Sequence, residues 1–323
     1  MTPALSFERV TRRYGALTAV ETLTFAVRPG EMFGLIGPDG AGKTTSIRLL
    51  CGLLHADGGA VRVLGVDPVK EHRQITARVG YLSQRFSLYG DLTIDENIAF
   101  FAEIHGMSNY AARRDRLLEL TQLTRFRGRL AEQLSGGMKQ KLALACTLVH
   151  EPDVILLDEP TTGVDPVSRR EFWKLLSQFL ATGITILMST PYLDEAERCT
   201  RVALLDRGRL MAVDTPASLR ASLAGTMFEV VTVDIEQARA TLRTHGIEAQ
   251  VFGDRLHVWV PHAHTPAGSA AVMDRSTGDR PAAPEDRSPE AERFSTLLPG
   301  SQIRRITPSL EDVYIARMTE LRP

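Results

Sequence analysis

Apolar and polar residues alternate in two early segments, residues 4–10 and 21–27, as they do in strands with one buried face. Short apolar runs without interruption follow at Met32–Ile36, residues 154–157 and residues 184–188, and their length fits strands buried on both faces. Between these runs the apolar spacing changes to a helical period. Strands that alternate with helices predict an α/β fold with a mainly parallel sheet and helices on its faces.

The same patterning places the remaining elements of the first two thirds of the chain. Further strands are predicted at residues 61–64 and 79–83, and helices at residues 42–53, 94–105, 111–123, 138–149 and 167–180.

The pattern changes after residue 225. Residues 227–233, 235–245, 247–251 and 255–260 predict a strand, a helix and two strands, and the helix gathers Ile235, Ala238 and Leu242 on one face. Residues 261–292 contain five prolines and few bulky apolar residues, which predicts a flexible segment. A strand at 303–306 and a helix at 309–320 follow. The chain is therefore divided into a domain at residues 1–225 and a small α+β domain at residues 226–323.

Composition narrows the possible functions. The net charge of −1 over 323 residues does not favour a nucleic-acid partner. The cysteines Cys51, Cys146 and Cys199 are far apart in apolar surroundings, which predicts reduced core residues. No signal peptide is expected at the start, and no apolar run reaches the ~20 residues that a membrane span needs. His262 and His264 are spaced like metal ligands, but their surroundings favour a solvated loop.

The first chemical motif is the run Gly37-Pro38-Asp39-Gly40-Ala41-Gly42-Lys43-Thr44, which matches the phosphate-loop pattern G-x-x-x-x-G-K-[ST]. Glycines allow backbone N–H groups to point at phosphates, and a helix N-terminus adds positive potential. An ordinary glycine turn is the alternative, but a strand before and a helix after the motif favour phosphate binding. Lys43 is expected to meet the β- and γ-phosphates, and the Thr44 hydroxyl to bind Mg²⁺.

Two further motifs follow in the chain. Residues 134–140, Leu-Ser-Gly-Gly-Met-Lys-Gln, place a serine cap and two glycines at a helix start, which makes a second anion site. Asp158 and Glu159 follow the apolar run 154–157, where carboxylates can reach a metal ion or a water molecule. A solvated acidic turn before Pro160 is the weaker alternative.

These three motifs in this order, over roughly residues 4–225, resemble the ATP-binding-cassette ATPases. The resemblance implies ATP and Mg²⁺ as cofactors, with Glu159, Lys43 and Gln84 in catalysis. It implies that Thr44, Gln84 and Asp158 bind the metal. It also implies that Tyr14 stacks on adenine, and a core or surface tyrosine is the alternative. The residues that it implies for nucleotide binding are Tyr14, Gly37, Pro38, Asp39, Gly40, Ala41, Gly42, Lys43, Thr44, Thr45, Ser135, Gly136 and Gly137.

The resemblance also implies partners. Two cassettes of this family face each other head to tail. The motif of each that corresponds to residues 134–140 then closes on the γ-phosphate held by the other. This chain then needs a second cassette, either another copy or a paralogous subunit, and Asp165 would lie at their interface. Gln84 would connect the site to residues 86–110, which form the groove for a separate integral membrane permease. The chain would act as a peripheral subunit on the cytoplasmic face of the inner or plasma membrane.

The chain departs from the family after the run 184–188, where Pro191 occupies the position of a histidine that contacts the γ-phosphate. Proline has no side-chain donor or acceptor, and a positioned acid–base group contributes ~10²–10⁴ in rate. Two outcomes stay open. Hydrolysis is slowed and a partner cassette carries the intact histidine, or the chain tolerates the change and hydrolyses normally.

The end of the chain indicates the branch of the family. Residues 306–315, Ile-Thr-Pro-Ser-Leu-Glu-Asp-Val-Tyr-Ile, resemble the ending of cassette subunits from bacterial multidrug and antibiotic exporters. The resemblance therefore implies an ATPase that powers export of drugs or other amphiphilic compounds. The alternatives are a regulatory ATP-binding subunit with weak hydrolysis and a cassette ATPase outside transport.

Overall fold

The computed structural model describes residues 2–85, 87–223, 225–261 and 288–320. The chain separates into two compact units, and each is described by itself. Unit 1 comprises Met1–Leu219 together with Tyr314–Pro323, and unit 2 comprises Arg220–Val313. The domain boundary between residues 225 and 226 stays a prediction.

Unit 1 contains two sheets. Its strands are β1 (Leu5–Tyr14), β2 (Leu17–Val27), β3 (Met32–Ile36), β4 (Gly58–Val63), β5 (Val79–Leu82), β6 (Val154–Asp158), β7 (Thr185–Thr190), β8 (Arg201–Asp206) and β9 (Arg209–Asp214). The larger sheet has the order β5-β6-β7-β3-β8-β9, and all its neighbours are parallel except β8 and β9. The smaller antiparallel sheet has the order β2-β1-β4. The predicted mainly parallel sheet is therefore confirmed.

Three aromatic rings connect the cores of these sheets. Phe7 stacks on Phe25 with ring centroids 4.7 Å apart, and Phe25 stacks on Phe33 at 5.3 Å. They come from β1, β2 and β3 and belong to one buried apolar cluster. Stacked rings of this kind bury a large apolar area, so the two sheets share a core.

Unit 1 contains the helices α1 (Lys43–Leu50), α2 (His72–Arg78), α3 (Ile94–Ile104), α4 (Ala111–Leu120), α5 (Gly136–Leu148), α6 (Pro166–Ala181), α7 (Leu193–Ala196) and α8 (Pro216–Ala221). Among them, side chains cap α3, α5 and α6. In α3 the Thr93 and Glu96 side chains form a capping box. Helix α5 starts two residues before the predicted position, because the Ser135 hydroxyl caps it by accepting from Met138 N at 3.3 Å.

Unit 2 alternates strands and helices in the order β10 (Gly225–Val231), α9 (Ile235–Thr244), β11 (Ala249–Phe252), β12 (Arg255–Pro261), α10 (Pro289–Leu297) and β13 (Gln302–Ile306). Its antiparallel sheet has the strand order β11-β12-β10-β13. This is the split βαβ arrangement of ferredoxin-like folds. Ala238 and Leu242 of α9 pack with Phe294 of α10 in the core of this unit, and Ile235 packs against it.

Helix α10 corrects one prediction, because the expected flexible segment 261–292 is helical from Pro289 onward. Ser288 caps the helix through Ala291 N, and proline fits the first helical turn. Ala291 and Phe294 are buried. Residues 262–287, with His262 and His264, lie outside the described residues.

The last helix, α11 (Leu310–Glu320), matches the predicted one. Its start explains part of the exporter-like ending, because the Asp312 carboxylate accepts hydrogen bonds from Ser309 N and Ser309 Oγ, both at 2.7 Å. The same carboxylate bonds His257 Nδ1 at 2.9 Å. In the described part of the chain, no helix is both long and apolar enough to span a membrane.

Candidate functional site

The phosphate-loop motif lies between the carboxyl end of β3 and the first turn of α1. Gly42 is the N-cap of α1 and has a φ of 95°, which a residue with a side chain rarely adopts. A Cβ atom there would lie 2.4 Å from Ala19 O, so glycine is also required by space. The loop therefore has the glycine geometry that anion-binding loops use.

Lys43 folds back over this loop and is only 4% exposed. Its Nζ donates to Gly37 O at 2.8 Å and to Pro38 O at 3.0 Å. The same ammonium forms an ion pair with Glu159 Oε1 at 3.1 Å. The predicted phosphate-binding lysine and the predicted catalytic glutamate are thus in direct contact.

Asp158 ends β6 and is buried beside the start of α1. Its Oδ1 accepts hydrogen bonds from Thr44 Oγ1 at 3.0 Å and from Ser189 Oγ at 2.7 Å. A carboxylate next to a hydroxyl supplies the oxygen ligands that Mg²⁺ prefers. Thr44 and Asp158 therefore fit the metal role that the resemblance implies.

The described residues offer no cluster of three or more His, Cys, Asp or Glu side chains that could hold a metal ion. A magnesium ion at Thr44 and Asp158 would need further ligands from the nucleotide and water. Gln84 directs its Nε2 to Glu159 Oε2 at 3.1 Å, so in this structure it contacts the glutamate.

Glu159 begins a short turn at residues 159–164, which we name the Glu159 turn. The backbone φ of Glu159 is 48°, in the left-handed region, which is unfavourable for a residue with a side chain. Its N–H donates to Ser189 Oγ at 3.0 Å, and its carboxylate accepts from Thr162 Oγ1 at 3.4 Å. Such backbone strain persists only where neighbours hold it, and it often occurs at functional sites.

The predicted second anion site lies at the start of α5. Ser135, Gly136 and Gly137 occupy its first turn. A Cβ atom on Gly137 would lie 2.2 Å from Ser168 Oγ, so α5 and α6 approach closely at this point. Further along, the buried Gln140 side chain donates to Pro160 O in the Glu159 turn. Helix α5 is therefore bonded to the turn that carries the predicted catalytic glutamate.

Two predicted residues lie at the surface. Tyr14 is 42% exposed, and the Arg12 guanidinium lies 5.0 Å from its ring centroid. Asp165 caps α6 by accepting from Val167 N at 3.1 Å and Ser168 N at 3.0 Å. The bonds from Ser168 lower the pKa of the Asp165 carboxyl, so the group is held in its charged form. Stacking of Tyr14 on adenine stays a prediction.

A buried thiol and a half-buried phenol lie near Asp158. Burial raises the pKa of Cys51 to about 12, and the Asp158 charge adds to the effect. Burial and the same charge raise the pKa of Tyr81 to about 12. All three cysteines are free and buried, as the sequence predicted.

Pro191 follows β7 directly and is half-buried. Three buried residues that hold this region together were not predicted from the sequence as functional, namely Ser189, Gln140 and Glu195. Ser189 could have been found from the sequence, because it is a polar residue at the end of a buried apolar strand. Gln140 was noticed only as part of its motif, and Glu195 lies in a polar run with no periodicity that would reveal its burial.

The parallel sheet, the phosphate loop at the end of β3 and the carboxylates at the end of β6 define a nucleotide-binding protein of the ATP-binding-cassette class. The sequence pattern of the family described as ABC transporter matches residues 20–162.

Curated relatives agree with this class. The chain is 41% identical over 299 residues to the probable multidrug ABC transporter ATP-binding protein YbhF of Escherichia coli, with 92% of this chain and 48% of that protein covered. It is 40% identical over 295 residues to the Nod factor export ATP-binding protein I of Paraburkholderia xenovorans, with 85% and 97% covered. The chain thus spans about half the length of YbhF and nearly all of the Nod factor protein. The chain belongs to the ABC transporter family.

Solved structures show the same fold. An ATP binding subunit of an ABC transporter has a TM-score of 0.63 and 32% identity, with 68% of this chain and 93% of that chain covered. A dimeric bacterial ABC transporter cassette has a TM-score of 0.59 and 25% identity, with 65% and 98% covered. The predicted cassette fold is confirmed.

Proposed function

We propose that this chain is the subunit that binds and hydrolyses ATP to power a separate membrane permease for export. The observation that carries the proposal is the convergence of Lys43, Thr44, Asp158 and Glu159 at the carboxyl edge of the parallel sheet. The relatives named for multidrug transport and for Nod factor export support export of drugs or other amphiphilic compounds.

Each residue of this cluster has a chemical role in the proposal. Lys43 and the loop N–H groups bind phosphate oxygens and stabilise the charge that develops during phosphoryl transfer. Thr44 and Asp158 would hold Mg²⁺, which would neutralise charge on the phosphates. Glu159 orients and polarises the attacking water. Gln84 donates a hydrogen bond to Glu159 and would connect this site to residues 86–110.

The proposed partners follow from the second anion site. Ser135, Gly136 and Gly137 would bind the γ-phosphate held by a second cassette, either another copy or a paralogous subunit. The dimeric arrangement of a related cassette supports such pairing. Residues 86–110 would contact the permease, which would place the chain peripherally at the cytoplasmic face of the inner or plasma membrane.

Pro191 bears on the rate of hydrolysis. It brings no side-chain donor to the position after β7, and Thr190 directs its hydroxyl to Glu195. We therefore propose slower hydrolysis at this chain's own site than a histidine would give. The same observation favours a second candidate function, a regulatory ATP-binding subunit paired with an active cassette.

Measuring the Mg²⁺-dependent ATPase activity of the purified chain beside its Pro191→His variant tests the proposal. We expect a slow parent and a variant that is about tenfold or more faster, within the ~10²–10⁴ range of a positioned acid–base group. Lys43→Ala serves as the inactive control. A parent that already turns over as fast as the variant would show that Pro191 is tolerated. A parent without nucleotide binding would refute the function.

A further inference from the structure

Glu195 is a buried carboxylate in α7 that lies outside the predicted site. Its Oε1 accepts a hydrogen bond from Thr161 Oγ1 at 2.6 Å, and its Oε2 accepts one from Thr190 Oγ1 at 2.7 Å. The Arg169 guanidinium of α6 lies 3.7 Å from Oε1, and the Glu195 side chain is 1% exposed. One side chain therefore joins the Glu159 turn, the end of β7 and helix α6.

This arrangement has a chemical consequence for the two threonines. An ionised carboxylate only accepts hydrogen bonds, so both hydroxyls must donate and their orientations are fixed. Burying a carboxylate is unfavourable unless donors and an opposite charge compensate it. Thr161, Thr190 and Arg169 supply those groups, and hydrogen bonds to a charged acceptor are stronger than neutral ones.

Thr161 lies two residues after Glu159, in the same turn. The strained backbone of Glu159 needs contacts that hold it in place. Ser189 bonds position 159, Gln140 bonds position 160, and Glu195 bonds position 161. The Glu195 contact completes a series of three consecutive anchors, and together they fix the direction of the Glu159 side chain.

Thr190 provides the second arm. Its hydroxyl donates to Glu195 and accepts from Tyr192 N at 3.1 Å, so the backbone around Pro191 is fixed as well. Glu195 thus contacts both the turn that carries the predicted catalytic glutamate and the residue before Pro191, which replaces the family histidine.

We propose that Glu195 is a positioning residue for ATP hydrolysis, which holds the Glu159 turn against the end of β7. It touches no reacting group and acts only through Thr161 and Thr190. This inference rests on the proposed function. A displacement of about 1 Å at a catalytic group can reduce the rate ~10²-fold while binding is little changed.

The test compares kcat with nucleotide affinity for the parent, Glu195→Gln and Thr161→Val. Nucleotide affinity and binding stoichiometry come from titration with a fluorescent ATP analogue. We expect kcat to fall about tenfold or more in both variants, with the dissociation constant within about twofold of the parent and the stoichiometry unchanged. Thr161→Val removes only the hydrogen bond between Thr161 and Glu195, so it remains informative if Glu195→Gln does not fold.

Asp194→Asn is the matched control, because Asp194 is the exposed neighbour in the same helix. It should leave kcat unchanged. The positioning role would be overturned if kcat of Glu195→Gln and Thr161→Val fell by less than about tenfold. It would also be overturned if nucleotide affinity or stoichiometry fell together with kcat. A parent that hydrolyses no ATP would refute the proposed function and the inference together, whereas an active parent matched by Glu195→Gln would refute the inference alone.

Discussion

The contact between Lys43 and Glu159 leads to a prediction that separates binding from catalysis. A phosphate on the loop requires the Lys43 ammonium, and in this structure Glu159 holds that ammonium at 3.1 Å. Phosphate and carboxylate therefore compete for one cation. Replacing Glu159 with glutamine weakens the competitor without changing its shape, so nucleotide affinity should rise.

The magnitude follows from the burial of the pair. Lys43 is 4% and Glu159 8% exposed, so solvent screens their interaction little. Hydrogen bonds to charged groups contribute about 1.5–3 kcal/mol; the pair with both groups charged lies towards the upper end of this range, and the contact of the ammonium with a neutral amide towards the lower end. The difference of about 1–1.5 kcal/mol corresponds to about tenfold in affinity. Loss of repulsion between the carboxylate and the phosphates adds to this gain.

The measurement uses ADP as well as ATP, because ADP is not hydrolysed and tightening cannot then come from blocked turnover. We expect Glu159→Gln to bind ADP about tenfold more tightly than the parent. Without nucleotide the variant should unfold at lower urea concentration, since the stronger ion pair is missing. The gain of affinity should be at least as large as the loss of stability, because both include the weakened pair and only affinity also gains from the lost repulsion between carboxylate and phosphates.

Glu119→Gln provides a control with the same charge change, because Glu119 is exposed on α4. It should alter neither quantity. If Glu159→Gln binds ADP like the parent and unfolds at the same urea concentration, the ion pair does not compete with phosphate. In that case any stable ATP complex of this variant would reflect blocked hydrolysis alone.

Three further predictions test packing and titration. Gly137→Ala should lower the unfolding free energy by about 1–3 kcal/mol, because its Cβ would lie 2.2 Å from Ser168 Oγ. Gly136→Ala should not lower the unfolding free energy, because its Cβ would meet nothing within 4 Å. Urea unfolding of the two variants measures the difference. Burial lowers the pKa of His150 from 6.5 to about 4, so the unfolded chain alone takes up a proton between these values. Stability should therefore fall as the pH falls from 6.5 towards 4, and His150→Asn should flatten that slope in urea unfolding; equal slopes would contradict this. Cys51, whose pKa burial raises to about 12, should react with a thiol reagent only after urea is added, as absorbance of the released product would show.

Local signals predicted much of unit 1. The run from Met32 to Thr44 contains a buried strand, required glycines and the start of a helix, and each of these depends on neighbours in sequence. Asp158 was found because a carboxylate directly after a buried strand lies at the edge where parallel strands end. These features need no knowledge of distant contacts.

Other features depend on partners far away in the chain. The contact between Gln140 and Pro160 spans 20 residues, and that between Glu195 and Thr161 spans 34. Helix α10 begins within a proline-rich stretch, and composition averaged over that stretch hid the cap at Ser288 and the buried Ala291. Composition describes a window of sequence, whereas burial of one residue decides whether a short helix is stable.

The candidate site contains two kinds of polar contact, and they imply different roles. Lys43 and Glu159 are bonded to each other, although the proposed function gives each a different partner, namely a phosphate and a water molecule. Glu195 instead bonds Thr161 and Thr190, which the proposed reaction does not touch. Residues of the first kind exchange partners during binding, so their substitution should change affinity. Residues of the second kind keep their partners throughout, so their substitution should change the rate at constant affinity.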